Sequence, residues 1–88
     1  MRETTIEKAV CAYAKRQGWR VEKVNVINDR GRPDRRFSKA GEYFYVEFKA
    51  PGAKPTKLQE FIHQKMREEG ETIHVIDDIE TGKALFAE

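Results

Sequence analysis

Two residues in "GEYFYVEFKAPG", Gly41 to Gly52, do not suit the strand that surrounds them. Tyr43, Phe44, Tyr45, Val46 and Phe48 are strong strand formers, whereas Glu47 and Lys49 carry charge. Strand alternation places Tyr43, Tyr45, Glu47 and Lys49 on one face and Phe44, Val46, Phe48 and Ala50 on the other. A carboxylate and an amine therefore leave the strand side by side. A second carboxylate joins them if "RRFSK" and "YFYVEFKA" close as a hairpin around Ala40-Gly41. Either a two-residue loop there or a four-residue loop Lys39–Glu42 pairs positions whose numbers sum to 81. Ser38 then faces Tyr43, Phe37 faces Phe44 on the apolar side, and Asp34 faces Glu47. The two carboxylates would have Cβ atoms roughly 4.5–5.5 Å apart, which is unfavourable unless positive charge lies between them. Lys49 supplies one charge, and a divalent cation would supply more. Mg²⁺ takes oxygen ligands, commonly one or two carboxylates plus waters, and this site has that ligand type. No His or Cys spacing favours zinc. The same three residues can also form a Lys-Glu-Asp salt-bridge cluster that only fastens the hairpin.

The elements that must hold these residues are legible from periodicity. "TTIEKAVCAYAKRQG" reads as a helix capped by Thr4 and Thr5, with Ile6, Ala9, Val10, Tyr13 and Ala14 on its buried stripe and Gly18 as its stop. "WRVEKVNVIN" alternates as a strand, "DRGRPD" is a loop, and the hairpin follows. After the short loop "PGAKP", "TKLQEFIHQKMREEG" reads as a second helix. Thr56 caps it, and Leu58, Phe61, Ile62, Lys65 and Met66 form its inner stripe. "ETIHVID" is a last strand, and "DIETGKALFAE" has no assigned structure. The order α-β-β-β-α-β predicts an α/β fold: a small mixed β-sheet flanked by helices. Its first three strands form an antiparallel meander, and the second helix serves as a crossover to one parallel strand.

With 88 residues, five Phe, three Tyr and one Trp, the chain has enough apolar material for one core and no second one. One domain spanning 1–88 is expected. The charged fraction of 36% at net +2 excludes a disordered chain, and no apolar run approaches a membrane span. The lone Cys11 excludes an internal disulfide and fits a reducing, cytoplasmic setting. The small net charge conceals an asymmetry: residues 1–39 carry 11 Lys/Arg against 5 Asp/Glu, and residues 40–88 carry 6 against 10. Arg30, Arg32, Arg35, Arg36 and Lys39 crowd ten positions next to Asp34, as a phosphate-binding surface or as a solvated loop. His63 and His74 lack partner spacing for a metal and read as structural or surface residues. Cys11 reads as a buried small residue. Trp19, Tyr43 and Tyr45 could stack on bases or pack on their neighbours.

Pro33-Asp34 followed by Glu47-Phe48-Lys49 resembles the PD-(D/E)xK nuclease signature. With Glu7 in the first helix, "GRPD", "VEFK", Gln59 in "KLQEF" and Gly70 before the last strand, nearly the whole chain resembles the virus-type replication-repair nuclease (VRR-NUC) domain. The resemblance implies a restriction-endonuclease-like core and a metal-dependent endonuclease acting on DNA, with Mg²⁺ as cofactor and Mn²⁺ as a substitute. It implies that Asp34, Glu47 and the Phe48 carbonyl ligate the metal. Lys49 would position or deprotonate the attacking water, Glu7 would orient metal-bound water or complete the shell, and Gln59 would steady Lys49 or the substrate. It also implies a homodimer and a preference for branched DNA such as four-way junctions. Arg35 departs from the family, which usually has an apolar residue after the motif Asp. The competing expectations are a non-catalytic nucleic-acid-binding module using Arg30–Lys39 and a structural or adaptor domain of a phage assembly. Metal-dependent cleavage separates the first reading from both, and salt-dependent DNA binding separates the other two.

Overall fold

The computed structural model describes residues 1–24 and 30–87. Among them the chain runs α1 (Glu3–Arg16), β1 (Arg20–Lys23), β2 (Arg35–Lys39), β3 (Glu42–Phe48), α2 (Lys57–Glu68), β4 (Ile73–Ile76) and α3 (Ile79–Ala84). The expected order is present, with α3 added from the segment left unassigned. Asp78 starts α3, its Oδ2 accepting from the Thr81 N–H and hydroxyl at 2.8 Å each. The strand expected over 19–28 is observed at Arg20–Lys23, and its residues 25–28 lie outside the described ones. No helix among the described residues is long and apolar enough to cross a membrane.

α1 begins before the predicted caps. Arg2 occupies the N-cap without a side-chain bond, and its carbonyl accepts from the N–H groups of Thr5 and Ile6. Thr4 and Thr5 thus lie inside the first turn, where Glu3 favours the positive end of the helix dipole. At the other end Gly18, at φ +89°, lets the Trp19 N–H return to the Ala14 carbonyl at 3.0 Å, and the chain turns directly into β1.

The sheet order is β1-β2-β3-β4, antiparallel through the first three strands and parallel between β3 and β4. Ala40 and Gly41 form a two-residue turn with φ of +52° and +85°, the left-handed pair that matches strand twist. This fixes the expected register, with Phe37 opposite Phe44 and Arg35 opposite Val46. Phe37, Val46 and Phe48 on one face, with Ile76 of β4, meet Ile6, Val10 and Ala14 of α1. Phe86, 1% exposed, closes this core against Trp19, Phe37 and Phe44 at ring separations of 4.8–5.5 Å. Trp19 is therefore a packing residue.

α2 lies on the opposite face. Its buried positions are His63 and Met66, while Leu58 and Phe61 are 46% and 59% exposed. The apolar stripe expected at Leu58, Phe61, Ile62, Lys65 and Met66 is thus turned away from the sheet over part of its length. The cause lies beneath the helix. Glu47 sits there, and a buried carboxylate requires polar partners instead of leucine and phenylalanine.

Candidate active site

Glu47 leaves β3 toward α2 and is 2% exposed, which for a carboxylate needs compensation. Lys49, two residues on along the same face, brings its Nζ to 3.6 Å from Glu47 Oε2. From α2, Gln59 Nε2 donates to the same oxygen at 3.1 Å. Gln59 is itself held by the start of its helix. Its Oε1 accepts from the Thr56 N–H at 2.9 Å, while Thr56 Oγ1 accepts from the Gln59 N–H at 3.1 Å. One side chain thereby completes a capping box and grips the strand carboxylate. The expected partner of Gln59 was Lys49 or substrate; its bond is with Glu47.

Asp34 stands immediately before β2. The ladder stops at Arg35–Val46, so Asp34 and Glu47 do not form a registered pair. In the continued register Pro33 would face Phe48. There the Asp34 carboxylate takes up the Phe48 N–H, with Oδ2 accepting at 2.8 Å. Strand alternation sends the Phe48 carbonyl to the same side as its N–H, toward Asp34. Burial pushes the Asp34 carboxyl upward, against the Phe48 bond, and the charge of Glu7 adds to the rise. Burial pushes the Glu47 carboxyl up to about 7, with the charge of Asp34 next and Lys49 opposing. The charge of Asp34 is thus felt at Glu47, although the two are not paired in the ladder. Glu3, in the first turn of α1, also raises Glu47 and was not anticipated.

His63, expected to be structural or at the surface, lies on the buried side of α2 beside Glu47. It is 1% exposed, and its Nε2 lies 3.9 Å from Glu47 Oε1. Neither atom has a hydrogen-bond partner among the described residues. The available signal was the spacing Gln59-His63, one helical turn, which places both side chains above the same strand residue.

The remaining predicted residues divide between the two faces. Glu7 Oε2 accepts from Arg35 Nε at 2.7 Å, so the arginine that departs from the family pattern is partnered from α1 at the rim of the core. Arg36 points to the other face, with Nη1 3.0 Å from Glu22 Oε1 and its guanidinium 4.4 Å from the Tyr43 ring centroid. Lys39 donates to the Gln17 carbonyl at 2.7 Å, where it complements the C-terminal end of α1. Arg30 is exposed, and Arg32 is half-buried in the loop entering Asp34. Sequence crowding at Arg30–Lys39 therefore does not produce a single basic patch. Tyr43 and Tyr45 meet edge to face at 6.2 Å on the Glu47 side. Cys11 is buried, and burial pushes its thiol up.

Among the described residues no group of three or more His, Cys, Asp and Glu side chains comes together as a metal cage. The donor set nevertheless fits a hard, oxygen-binding cation that keeps waters. It comprises the Asp34 and Glu47 carboxylates, the latter with its buried Oε1 unpartnered among the described residues, and the Phe48 carbonyl on the Asp34 side. A cation between the carboxylates would also favour their charged forms and so offset the burial that raises both.

No protein-family model and no curated protein matches the sequence. Among solved structures, a VRR_NUC domain is 24% identical, covers 94% of this chain and 91% of its own, and superposes with a TM-score of 0.86. With a sheet, crossover helix and flanking helices that superpose over nearly their whole length, the chain has the fold of a VRR_NUC domain.

Proposed function

We propose that the chain is a metal-dependent nuclease that hydrolyses DNA phosphodiester bonds at the Asp34–Glu47–Lys49 cluster. The observation that carries this reading is a nearly inaccessible carboxylate, Glu47, with one oxygen left unpartnered beside Asp34 and Lys49, in the fold of a VRR_NUC domain. Asp34, Glu47 and the Phe48 carbonyl would hold Mg²⁺, with Mn²⁺ able to replace it. What the bound cation supplies is a more acidic water and neutralised charge on the phosphate. Lys49, a compact cation on a rigid strand, holds the attacking water and the phosphate oxygen beside the carboxylates. Water adds to phosphorus, one P–O ester bond breaks, and the leaving oxygen takes a proton. Glu7 adds negative charge from α1, which the raised Asp34 carboxyl already registers. Gln59 fixes the Glu47 carboxylate, and Arg30 and Arg32, in the loop leading into Asp34, supply positive charge for the phosphate backbone.

Homodimerisation and selection of branched DNA, including four-way junctions, extend the proposal. They are supported by size, because one small domain covers little duplex and a two-fold pair could address two symmetric strands. Linear, flapped, nicked and four-way DNA should be incubated with Mg²⁺, Mn²⁺ or chelator, with light scattering as the measure of oligomeric state. Metal-dependent cleavage is expected, reduced about 100-fold or more in Asp34→Ala, Glu47→Ala and Lys49→Ala. Cleavage by Lys49→Ala at the wild-type rate, or cleavage unaffected by chelator, defeats the assignment.

A further inference from the structure

α2 presents two side chains to Glu47, and they address different oxygens. Gln59 Nε2 donates to Oε2 at 3.1 Å. His63, one turn later, brings Nε2 to 3.9 Å from Oε1, about 1 Å beyond a hydrogen bond. The side chains of His63 and Glu47 are 1% and 2% exposed, and the two facing atoms are unpartnered among the described residues. Two buried polar atoms this close, each without a hydrogen bond among the described residues, form a pair that an approach of about 1 Å completes. A carboxylate has about four lone-pair sites, so with Gln59 and Lys49 at Oε2 and His63 at Oε1, a lone pair on Oε1 stays open for a cation.

We infer that His63 is a positioning residue: its Nε2–H holds Glu47 Oε1 while Gln59 holds Oε2, so that α2 sets the carboxylate plane by a two-point grip. This rests on the reading of Glu47 as a metal ligand, for which hydrogen-bonded partners of the ligand fix its orientation. Leucine at 63 would satisfy the packing and leave Oε1 buried with nothing to orient it.

Two measurements test the inference. In metal-free protein, a long-range ¹H–¹⁵N spectrum should place the His63 proton on Nε2, and the Nε2 shift should move in Glu47→Gln. By calorimetry with Mn²⁺ alone, His63→Leu should bind about 10–100-fold more weakly than wild type. His63→Gln, whose amide nitrogen can replace Nε2, should stay within about threefold, a fraction of that range. Thermal melts establish that the variants are folded. Wild-type Mn²⁺ affinity in folded His63→Leu, equal losses in both variants, or a His63 shift indifferent to Glu47→Gln would each overturn the inference. If His63→Leu does not fold, the spectrum and His63→Gln decide. If the wild-type protein binds no Mn²⁺, the nuclease reading falls and the spectrum alone judges the pairing.

Discussion

Glu47 combines a nearly inaccessible side chain with a carboxyl pushed up to about 7, and this has a measurable consequence for stability. Its ordinary value is 4.5, so between 4.5 and about 7 the unfolded chain ionises while the folded one retains its proton. A carboxyl raised on folding favours the folded state at low pH, and that contribution is lost as pH rises through the folded value. The metal-free protein should therefore lose about 3 kcal/mol between pH 4.5 and 8 from this residue, with Asp34 acting in the same direction. Thermal melts across that range should show the decline. Glu47→Gln should flatten it and melt above wild type at pH 8; an unchanged profile would mean that Glu47 is not the titrating group. The carboxylates and the lysine were legible because the period of a strand is two and an Ala-Gly turn admits few registers. His63 was not, because apolar periodicity drew attention to Leu58 and Phe61 on the side of α2 that faces solvent.

Among the elements, α2 carries the site as much as β3 does. The capping box that starts it and the bond that steadies Glu47 share one amide, that of Gln59. Thr56→Ala removes the cap oxygen and should cost about 1 kcal/mol in urea unfolding. It should also loosen Gln59, so that cleavage falls further than the stability loss explains at a temperature where the variant is folded. Gln59→Glu offers the contrast: it can still accept from the Thr56 N–H but adds a charge beside Glu47, and should lower activity with a smaller loss of helix stability. Equal activity in Thr56→Ala and wild type would separate the cap from the site. The cap itself was readable as Thr-x-x-Gln. The second use of Gln59 was not derivable from the helix alone, because it depends on which strand residue lies beneath. α3 escaped detection for a different reason: six residues give less than two turns of periodicity, and its Asp78 start signal precedes no long apolar stripe.

For the whole molecule, the charge asymmetry of the sequence does not become a single basic face. Arg35 is paired to Glu7, Arg36 to Glu22, and Lys39 to the end of α1. Among the arginines, Arg30 and Arg32 lie in the loop that leads into Asp34. Replacing both with Gln should reduce the slope of log affinity against log salt by nearly two units if both contact phosphate. Fluorescence anisotropy between 50 and 200 mM salt, a range chosen for such slopes, checks this. A slope equal to wild type would assign both to the fold or to solvent. The core depends on its last turn in a comparable way. Phe86→Ala should cost roughly 3–5 kcal/mol, a large share of the stability of so small a domain, although it touches no proposed site residue. That dependence gives synthesis a direction. Asp34, Glu47, Lys49, Gln59 and His63 are all translated before Phe86, the nearest by 23 residues. At about 5–20 residues per second, the ribosome needs roughly 1–5 s to add the residue that closes the core. For that interval a nascent chain holds every group of the proposed chemistry but lacks the ring that seats Trp19, Phe37 and Phe44. Competence therefore arrives only once Phe86 has been added, not gradually before it.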